Sequence, residues 1–183
     1  MAAPADPTPL TPAFTTTKDE RGIHTISLFV ADKPGVLVRV ALVFARRGYN
    51  IESLVVSPAK QPGFSRMTIT SSGDPSTLHQ IIKQLTKLID VVHAIDHTSD
   101  ATYETEIALL KAECDTKEER AELLQIAEHF GARVVDYGNE SVILRVYGGS
   151  DKLDALIRLL SDFRITELVR SGKLVMARGR ATT

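Results

Sequence analysis

The sequence has 183 residues, of which 43% are hydrophobic and 25% charged, and its 22 Lys and Arg nearly balance its 23 Asp and Glu. A chain of this length and composition forms one large or two small globular domains. The balanced charge excludes a global field that would attract nucleic acid or an anionic membrane. No apolar run approaches the roughly 18 residues that a membrane helix requires. We therefore expect a soluble protein with no nucleic-acid partner and no membrane partner.

The first 22 residues hold four of the eight prolines and show no apolar periodicity, which predicts a disordered N-terminal extension over residues 1–22. This segment does not begin with the positive charge and apolar stretch of a secretory signal, and it is not rich in arginine as a transit peptide would be. The only cysteine, Cys114, has no partner for an internal disulfide. These features favour the reducing cytoplasm, with Cys114 as a buried structural thiol.

Residues 23–98 show apolar patterns that predict the order strand, helix, strand, strand, helix, strand. The first strand alternates, and the helix after it presents an apolar stripe of Leu37, Val40, Ala41 and Phe44 before it ends at Gly48. Strands are predicted over residues 49–57, 65–70 and 89–96, and Asp74 followed by Pro75 predicts the start of the second helix.

The same order recurs over residues 103–178, without close sequence identity, and residues 179–183 form a tail. Thr116 and Glu119 predict a capping box at the start of one helix, and Ser150 is the predicted cap of the other. We therefore predict an α+β protein of two tandem ferredoxin-like βαββαβ domains, with antiparallel sheets and with helices on one face of each. An uncovered apolar sheet face would favour dimerisation or a partner.

Motifs for catalysis or metal binding are missing from the sequence. The five histidines are scattered, there is no Cys-x-x-Cys, and no Gly-x-Ser-x-Gly motif marks a nucleophile. His93 and His97 share one face of a predicted strand, but about 13 Å separates side chains four residues apart in a strand. The sequence thus predicts neither catalytic residues nor a metal site.

The segment Asp32-Lys33-Pro34-Gly35-Val36-Leu37 joins the first predicted strand to the first helix. Backbone N–H groups at a helix start can hold a carboxylate, and Gly35 lets a ligand approach the backbone. Asp32 can accept hydrogen bonds from an ammonium group, and neighbouring Val and Leu side chains can receive an aliphatic chain. The loop is therefore a candidate site for a free amino acid. On composition alone the alternative remains open that Asp32 caps the helix and Pro34-Gly35 makes a turn.

A family resemblance rests on four segments that occur in order: DKPGVLVRV (32–40), FARRGYNIESL (44–54), SRMTI (65–69) and KQLTKLIDVV (83–92). Together they resemble the small regulatory subunit of acetolactate synthase, whose first domain is an ACT domain. The second half, with KLDAL (152–156) and RSG (170–172), is similar to the C-terminal domain of that family. The resemblance spans about residues 23–178, with the ACT domain at 23–98 and the C-terminal domain at 103–178.

This resemblance implies a regulatory protein in branched-chain amino acid biosynthesis that is not itself an enzyme. It implies a homodimer through the ACT domains, which binds valine or another branched-chain amino acid at the dimer interface and docks on a large catalytic subunit. Thiamine diphosphate, Mg²⁺ and a flavin (FAD) are expected in that partner, which condenses pyruvate to acetolactate, and no cofactor is expected in this chain. The implied effector site combines Asp32, Lys33, Pro34, Gly35, Val36 and Leu37 of one protomer with Asn50 and Ile51 of the other.

Two points of this interpretation leave alternatives. Many members of the family carry Asn at the position of Asp32, so a carboxylate here replaces an amide beside the ligand and affects which effector binds. Asn50 follows Gly48-Tyr49 and could instead satisfy backbone groups of the turn. The alternative function is a stand-alone tandem ACT sensor that regulates a different enzyme or regulator.

Overall fold

The computed structural model describes residues 22–97, 102–180 and 182–183. The predicted N-terminal extension therefore lies almost entirely outside the described residues. Within these ranges, no helix has both the length and the apolarity needed to cross a bilayer.

The first half of the chain forms a four-stranded antiparallel sheet with two helices. Its elements are β1 (Ile23–Ala31), α1 (Val36–Ala45), β2 (Ser53–Pro58), β3 (Phe64–Ser72), α2 (Pro75–Leu85) and β4 (Val91–Asp96). The strand order is β2-β3-β1-β4, so the two central strands are the first and third along the chain. This βαββαβ order is the predicted ferredoxin-like arrangement.

The second half repeats the arrangement with one addition. Its elements are β5 (Thr102–Glu113), α3 (Lys117–His129), β6 (Arg133–Tyr137), β7 (Ser141–Gly148), α4 (Ser150–Leu159), a short 3₁₀ turn (Leu160–Asp162), β8 (Arg164–Arg170) and β9 (Leu174–Ala177). The order β6-β7-β5-β8 matches that of the first sheet. The prediction of four strands per domain was wrong for this half, because β9 pairs with the first residues of β5.

Each half has its own apolar core between its sheet and its helices. In the first, Ile26, Leu28 and Val30 of β1 meet Val40 and Phe44 of α1, and all are essentially inaccessible to solvent. In the second, every other side chain of β5 and β7 is buried, and these side chains pack against α3 and α4. The predicted fold class, two tandem ferredoxin-like domains with helices on one face, is confirmed.

The helix termini follow the local signals in three of four predicted cases. Asp74 accepts a hydrogen bond from the Thr77 N–H at the start of α2, and Thr116 with Glu119 forms the complete capping box of α3. Gly48 adopts a left-handed conformation (φ 69°) just after α1. The prediction for Ser150 was wrong: Gly149 is the N-cap of α4, and the Ser150 hydroxyl donates to Glu106 of β5 instead.

The helix-free faces of the two sheets differ in what they present. On the first sheet, Thr25, Ser27 and Thr70 lie on this face and are nevertheless buried, whereas the alternate residues of β1 and β3 face the helices. On the second sheet, the corresponding face exposes large apolar side chains, namely Ile107, Leu109, Tyr147 and Val169.

Candidate functional site

The loop between β1 and α1 is a tight turn held by backbone hydrogen bonds, one of them from the Val36 N–H to the Lys33 carbonyl (3.4 Å). The Asp32 N–H donates to the Gly63 carbonyl (2.9 Å), which ties the loop to the β2–β3 connection, and the Lys33 N–H donates to the Ala31 carbonyl (3.0 Å). Gly35 has φ 83°, a left-handed conformation in which an L side chain is strained. The requirement for glycine at this position therefore comes from the turn itself.

Helix α1 begins without a side-chain cap. Its N-cap is Gly35, no side chain there accepts a hydrogen bond, and no acidic residue occupies the first turn. Asp32 lies three residues before this N-cap, so the alternative in which Asp32 caps the helix is wrong. The first turn of a helix carries N–H groups without intrahelical partners and the positive end of the helix dipole. This uncapped end can hold an anion such as a carboxylate.

The predicted site residues of this loop have two kinds of environment. Asp32, Lys33, Pro34, Gly35 and Leu37 are exposed, so their side chains or backbone groups can meet a ligand. Val36 is only 2% exposed and belongs to the apolar core. The predicted inward stripe of α1 therefore starts at Val36 and not at Leu37, whose side chain is 42% exposed and available to an aliphatic ligand.

Arg39 was not among the predicted site residues, yet it faces the loop. Its Nη1 lies 3.3 Å from the position that a Cβ on Gly35 would occupy. Its Nη2 donates to the Asp90 carboxylate (2.6 Å), which holds the guanidinium beside the uncapped helix start. The signal in the sequence was the spacing of four residues after Gly35, which places Arg39 one helical turn beyond the loop.

Asn50 and Ile51 lie at the other end of the same sheet. They precede β2 in a loop, whereas the sequence placed them inside a strand that starts at residue 49. Ser53, which follows, pairs with Thr70, and Thr70 pairs with Thr25 near the start of β1. Six strand residues, about 20 Å, separate Thr25 from Ala31 beside the loop. One chain therefore does not bring the two predicted groups together.

The two residues also differ in exposure. Asn50 is exposed, while its backbone carbonyl accepts a hydrogen bond from the Ser71 hydroxyl (2.7 Å). Ile51 is half-buried and packs against the core of the first domain. The Asn50 side chain is thus presented to solvent while its backbone is fixed.

The corresponding loop of the second domain is built differently. The Thr116 hydroxyl accepts from the Glu119 N–H, and the Glu119 carboxylate accepts from the backbone N–H groups of Thr116 (3.2 Å) and Asp115 (3.0 Å). Arg120 donates to the carbonyls of Gly138 and Asn139. A cleft of about 590 Å³ adjoins this loop. The N–H groups of Asp115, Thr116 and Glu119 are thus satisfied by protein side chains, unlike the start of α1, which has no side-chain cap.

Within the described ranges, no three His, Cys, Asp or Glu side chains come together in a group that could hold a metal ion. Cys114 is 3% exposed, as predicted for a structural thiol. Burial raises the pKa of the Cys114 thiol, which disfavours the reactive thiolate.

Both halves of the chain match models of known protein families. Residues 26–93 match the model of the AHAS small subunit-like ACT domain, and residues 105–179 match the model of the small subunit of acetolactate synthase. The acetolactate synthase small subunit of Mycolicibacterium smegmatis is 42% identical over 156 residues, which cover 85% of this chain and 91% of that protein. This chain belongs to the acetolactate synthase small-subunit family.

Two further relatives span both domains. The acetolactate synthase small subunit of Mycobacterium leprae is 40% identical over 85% of this chain and 92% of its own length. The crystal structure of the acetolactate synthase small subunit of Thermotoga maritima superimposes with a TM-score of 0.77 at 37% identity, covering 87% of this chain and 99% of that one. The family resemblance predicted from the motifs is therefore confirmed, and the loop 32–37 lies in the ACT domain of this family member.

Proposed function

We propose that this chain is the regulatory subunit of acetolactate synthase: it activates the large catalytic subunit and confers feedback inhibition by valine bound between two ACT domains. The observation that carries the proposal is the uncapped start of α1, where Gly35 adopts φ 83° beside the guanidinium of Arg39. Membership of the small-subunit family supports the regulatory role and a large subunit as the partner.

The chemistry of the loop suits a free aliphatic amino acid. The α-carboxylate would accept hydrogen bonds from first-turn N–H groups, with Arg39 adding positive charge nearby. The exposed Asp32 carboxylate would receive the α-ammonium group, and the exposed Leu37 side chain would contact the branched aliphatic chain. Because Asp32 is charged where many family members have an amide, we expect it to select for an effector with a free ammonium group.

The separation of the predicted residues supports a site shared between two copies. The loop 32–37 is open to solvent, and Asn50 lies at the opposite end of the sheet on the same chain, beyond the roughly 20 Å of strand that separate Thr25 from Ala31. A homodimer that sets the loop of one ACT domain beside the Asn50–Ile51 segment of the other would enclose the ligand. Asn50 would then contribute its amide, and Ile51 would help to fix that segment.

In this proposal the catalytic work belongs to the partner. Thiamine diphosphate, Mg²⁺ and FAD bind the large subunit, which condenses two pyruvate molecules to acetolactate and CO2 in the cytoplasm, and this chain holds no cofactor. This chain acts by coupling the binding of valine to the binding of the large subunit. Such a coupling is reciprocal and is typically about 1 to 3 kcal/mol. The large subunit should therefore change valine affinity by the same factor by which valine changes the affinity between subunits.

The experiment is acetolactate formation by the matching large subunit, with and without this chain, over a titration of L-valine. We expect the chain to raise the activity and valine to remove that gain. Isothermal titration of valine into the chain alone, and into the chain with the large subunit, should give dissociation constants that differ by the coupling factor. If neither the chain nor valine changes the activity of the large subunit but valine still binds the chain, the proposal fails. The chain is then a tandem ACT sensor that regulates a different protein.

A further inference from the structure

The turn that joins β8 to β9 of the second domain touches the first domain. Gly172, in this turn, is buried and has φ 80°. A Cβ on Gly172 would lie 2.9 Å from both the Cβ and the Oγ of Ser53, and 3.3 Å from a methyl group of Val55. Real Cβ atoms do not approach other carbons this closely, so any residue but glycine would displace β2.

On one side of this contact, the turn is fastened to the core of the second domain. Arg170 donates to Glu106 from Nε (3.0 Å) and Nη2 (2.7 Å), and from Nη1 to Asp154 of α4 (2.5 Å). The Ser171 N–H donates to the Ile107 carbonyl (2.9 Å), and the Ile107 N–H donates to the Ser171 hydroxyl (3.0 Å). Gly172 therefore moves only when β5, β8 and α4 move with it.

On the other side of this contact, Ser53 is close in the chain to Asn50 and Ile51, two of the proposed effector residues, and hydrogen bonds to Thr70 hold this segment in place. Its hydroxyl lies 2.5 Å from that of Thr70, and the N–H of the preceding Glu52 donates to the Thr70 carbonyl (2.8 Å). Ile51 and Asn50 come directly before Glu52. A displacement of Asn50 and Ile51 therefore reaches Ser53 through at most three peptide units.

We infer that the contact between Gly172 and Ser53 transmits the effector state of the ACT domain to the second domain. The inference rests on the proposed function and adds the route of regulation to it. Close-packed contacts have little room to absorb a shift, so a movement at Ser53 is passed to the Arg170-Ser171-Gly172 turn and to the helix α4 that the turn holds. Gly172 and Ser53 are positioning residues in this scheme and touch no ligand.

The test is the Gly172→Ala variant in the reconstituted holoenzyme, titrated with L-valine and assayed for acetolactate formation. The added methyl group forces β2 and the turn apart, so valine inhibition should weaken by about five-fold or more, the lower bound of a typical coupling. Without valine, the variant should activate the large subunit to within about two-fold of the wild type. The added methyl group alters one contact between the domains, and this is small compared with a typical allosteric coupling of about 5- to 150-fold. The matched control is Gly179→Ala, because Gly179 has a similar φ of 74° but no atom within 4 Å of the added Cβ.

A second pair of variants breaks the contact from the other side without left-handed strain. Ser53→Gly removes both atoms that face Gly172, and Ser57→Gly makes the same change on the same face of β2 at an exposed position. We expect Ser53→Gly, but not Ser57→Gly, to weaken the valine response. The double variant S53G/G172A should recover part of the response that Gly172→Ala loses, because the added methyl group then has space.

The outcomes separate the two proposals. If the wild-type holoenzyme responds to valine and Gly172→Ala and Ser53→Gly respond equally well, the inference is overturned and the proposed function stands. If Gly179→Ala weakens valine inhibition as much as Gly172→Ala does, the cause is backbone strain at a left-handed glycine and not the contact with Ser53. This outcome also overturns the inference. A wild-type holoenzyme that ignores valine overturns both.

Discussion

The loop between β1 and α1 and the loop between β5 and α3 occupy equivalent positions in two domains of the same strand order, yet the helices after them begin in opposite ways. Helix α1 has a glycine N-cap and no side-chain cap, whereas Thr116 and Glu119 close the start of α3 with a capping box. The same fold therefore leaves backbone N–H groups without a side-chain cap at the start of α1 and caps them with side chains at the start of α3. In the second domain, the capping box instead stabilises the start of the helix locally.

The largest expected effect concerns how the second domain is held together. Arg170→Met leaves Glu106, whose side chain is 6% exposed, without its guanidinium partner and should lower the free energy of unfolding by about 3 kcal/mol. Burial alone would lower the pKa of Arg170, but the carboxylates of Glu106 and Asp154 raise it, so the arginine stays charged at any working pH. Urea unfolding followed by circular dichroism measures the change.

The control for this prediction lies on the same strand. Arg164 pairs with Glu113 at 3.0 Å, but its side chain is 71% exposed. Arg164→Met should therefore cost less than about 1 kcal/mol. Equal costs for the two variants would contradict the view that the Arg170 cluster organises the second domain.

The next effect tests the open helix start directly. Gly35→Asp adds bulk and a negative charge where a carboxylate should bind, and its φ of 83° adds strain. Loss of a charge-assisted hydrogen bond together with this repulsion should raise the valine concentration for half-inhibition by about 100-fold. Activation of the large subunit without valine should remain.

Its matched control is Gly131→Asp, a left-handed glycine (φ 62°) at the end of a helix in the second domain. This change carries similar strain and the same charge but lies away from the proposed site. Retained inhibition in Gly35→Asp, or equal loss in both variants, would argue against the loop 32–37 as the effector site.

A smaller effect is expected when the capping box is opened. Thr116→Ala should lower the stability of the second domain by about 1 kcal/mol, because the Glu119 N–H loses its acceptor. The valine response should stay unchanged, since this helix start lies outside the proposed effector site. Thermal unfolding measures the stability, and a valine titration of the same sample measures the inhibition. A changed valine response would contradict the proposal that only the loop between β1 and α1 binds the effector.

The smallest effect concerns the charged cap of α2. Hydrogen bonds from Ser76 and Thr77 hold the pKa of Asp74 below its ordinary value of 3.8, despite some opposing desolvation. The stability that this carboxylate contributes is present above that value and is lost as the pH falls through the lower folded-state pKa. Asp74→Asn should therefore flatten the acid limb of the stability profile below about pH 4. An unchanged limb in urea titrations would show that the cap charge contributes nothing.

Much of the fold was predictable because its signals are local. The alternating β1, the capping box at Thr116, the Asp74-Pro75 start and Gly48 were all placed correctly. The errors have local causes as well. Three apolar residues open α1, so the pattern could not tell whether Val36 or Leu37 faces the core, and the four residues of β9 are too few to show a period.

The candidate site was predictable only in part. The loop 32–37 follows from a glycine and a proline between a strand and a helix, which is a local pattern. Arg39 was missed because its approach to Gly35 depends on an ion pair with Asp90, 51 residues away. Ser150 was misassigned for a similar reason, since its partner Glu106 comes from a strand 44 residues earlier.

The sequence by itself determined the βαββαβ order, most of the helix termini, the family and the candidate loop 32–37, because each depends on residues within a few positions of one another. Only the tertiary structure decided that Asn50 lies at the far end of the sheet from Asp32 and that Gly172 packs on Ser53. Both facts depend on strand register and on contacts between segments far apart in the chain. Such contacts produce no periodic pattern in the sequence, because they depend on how the surfaces of distant segments pack together and not on the residues next to them in the chain.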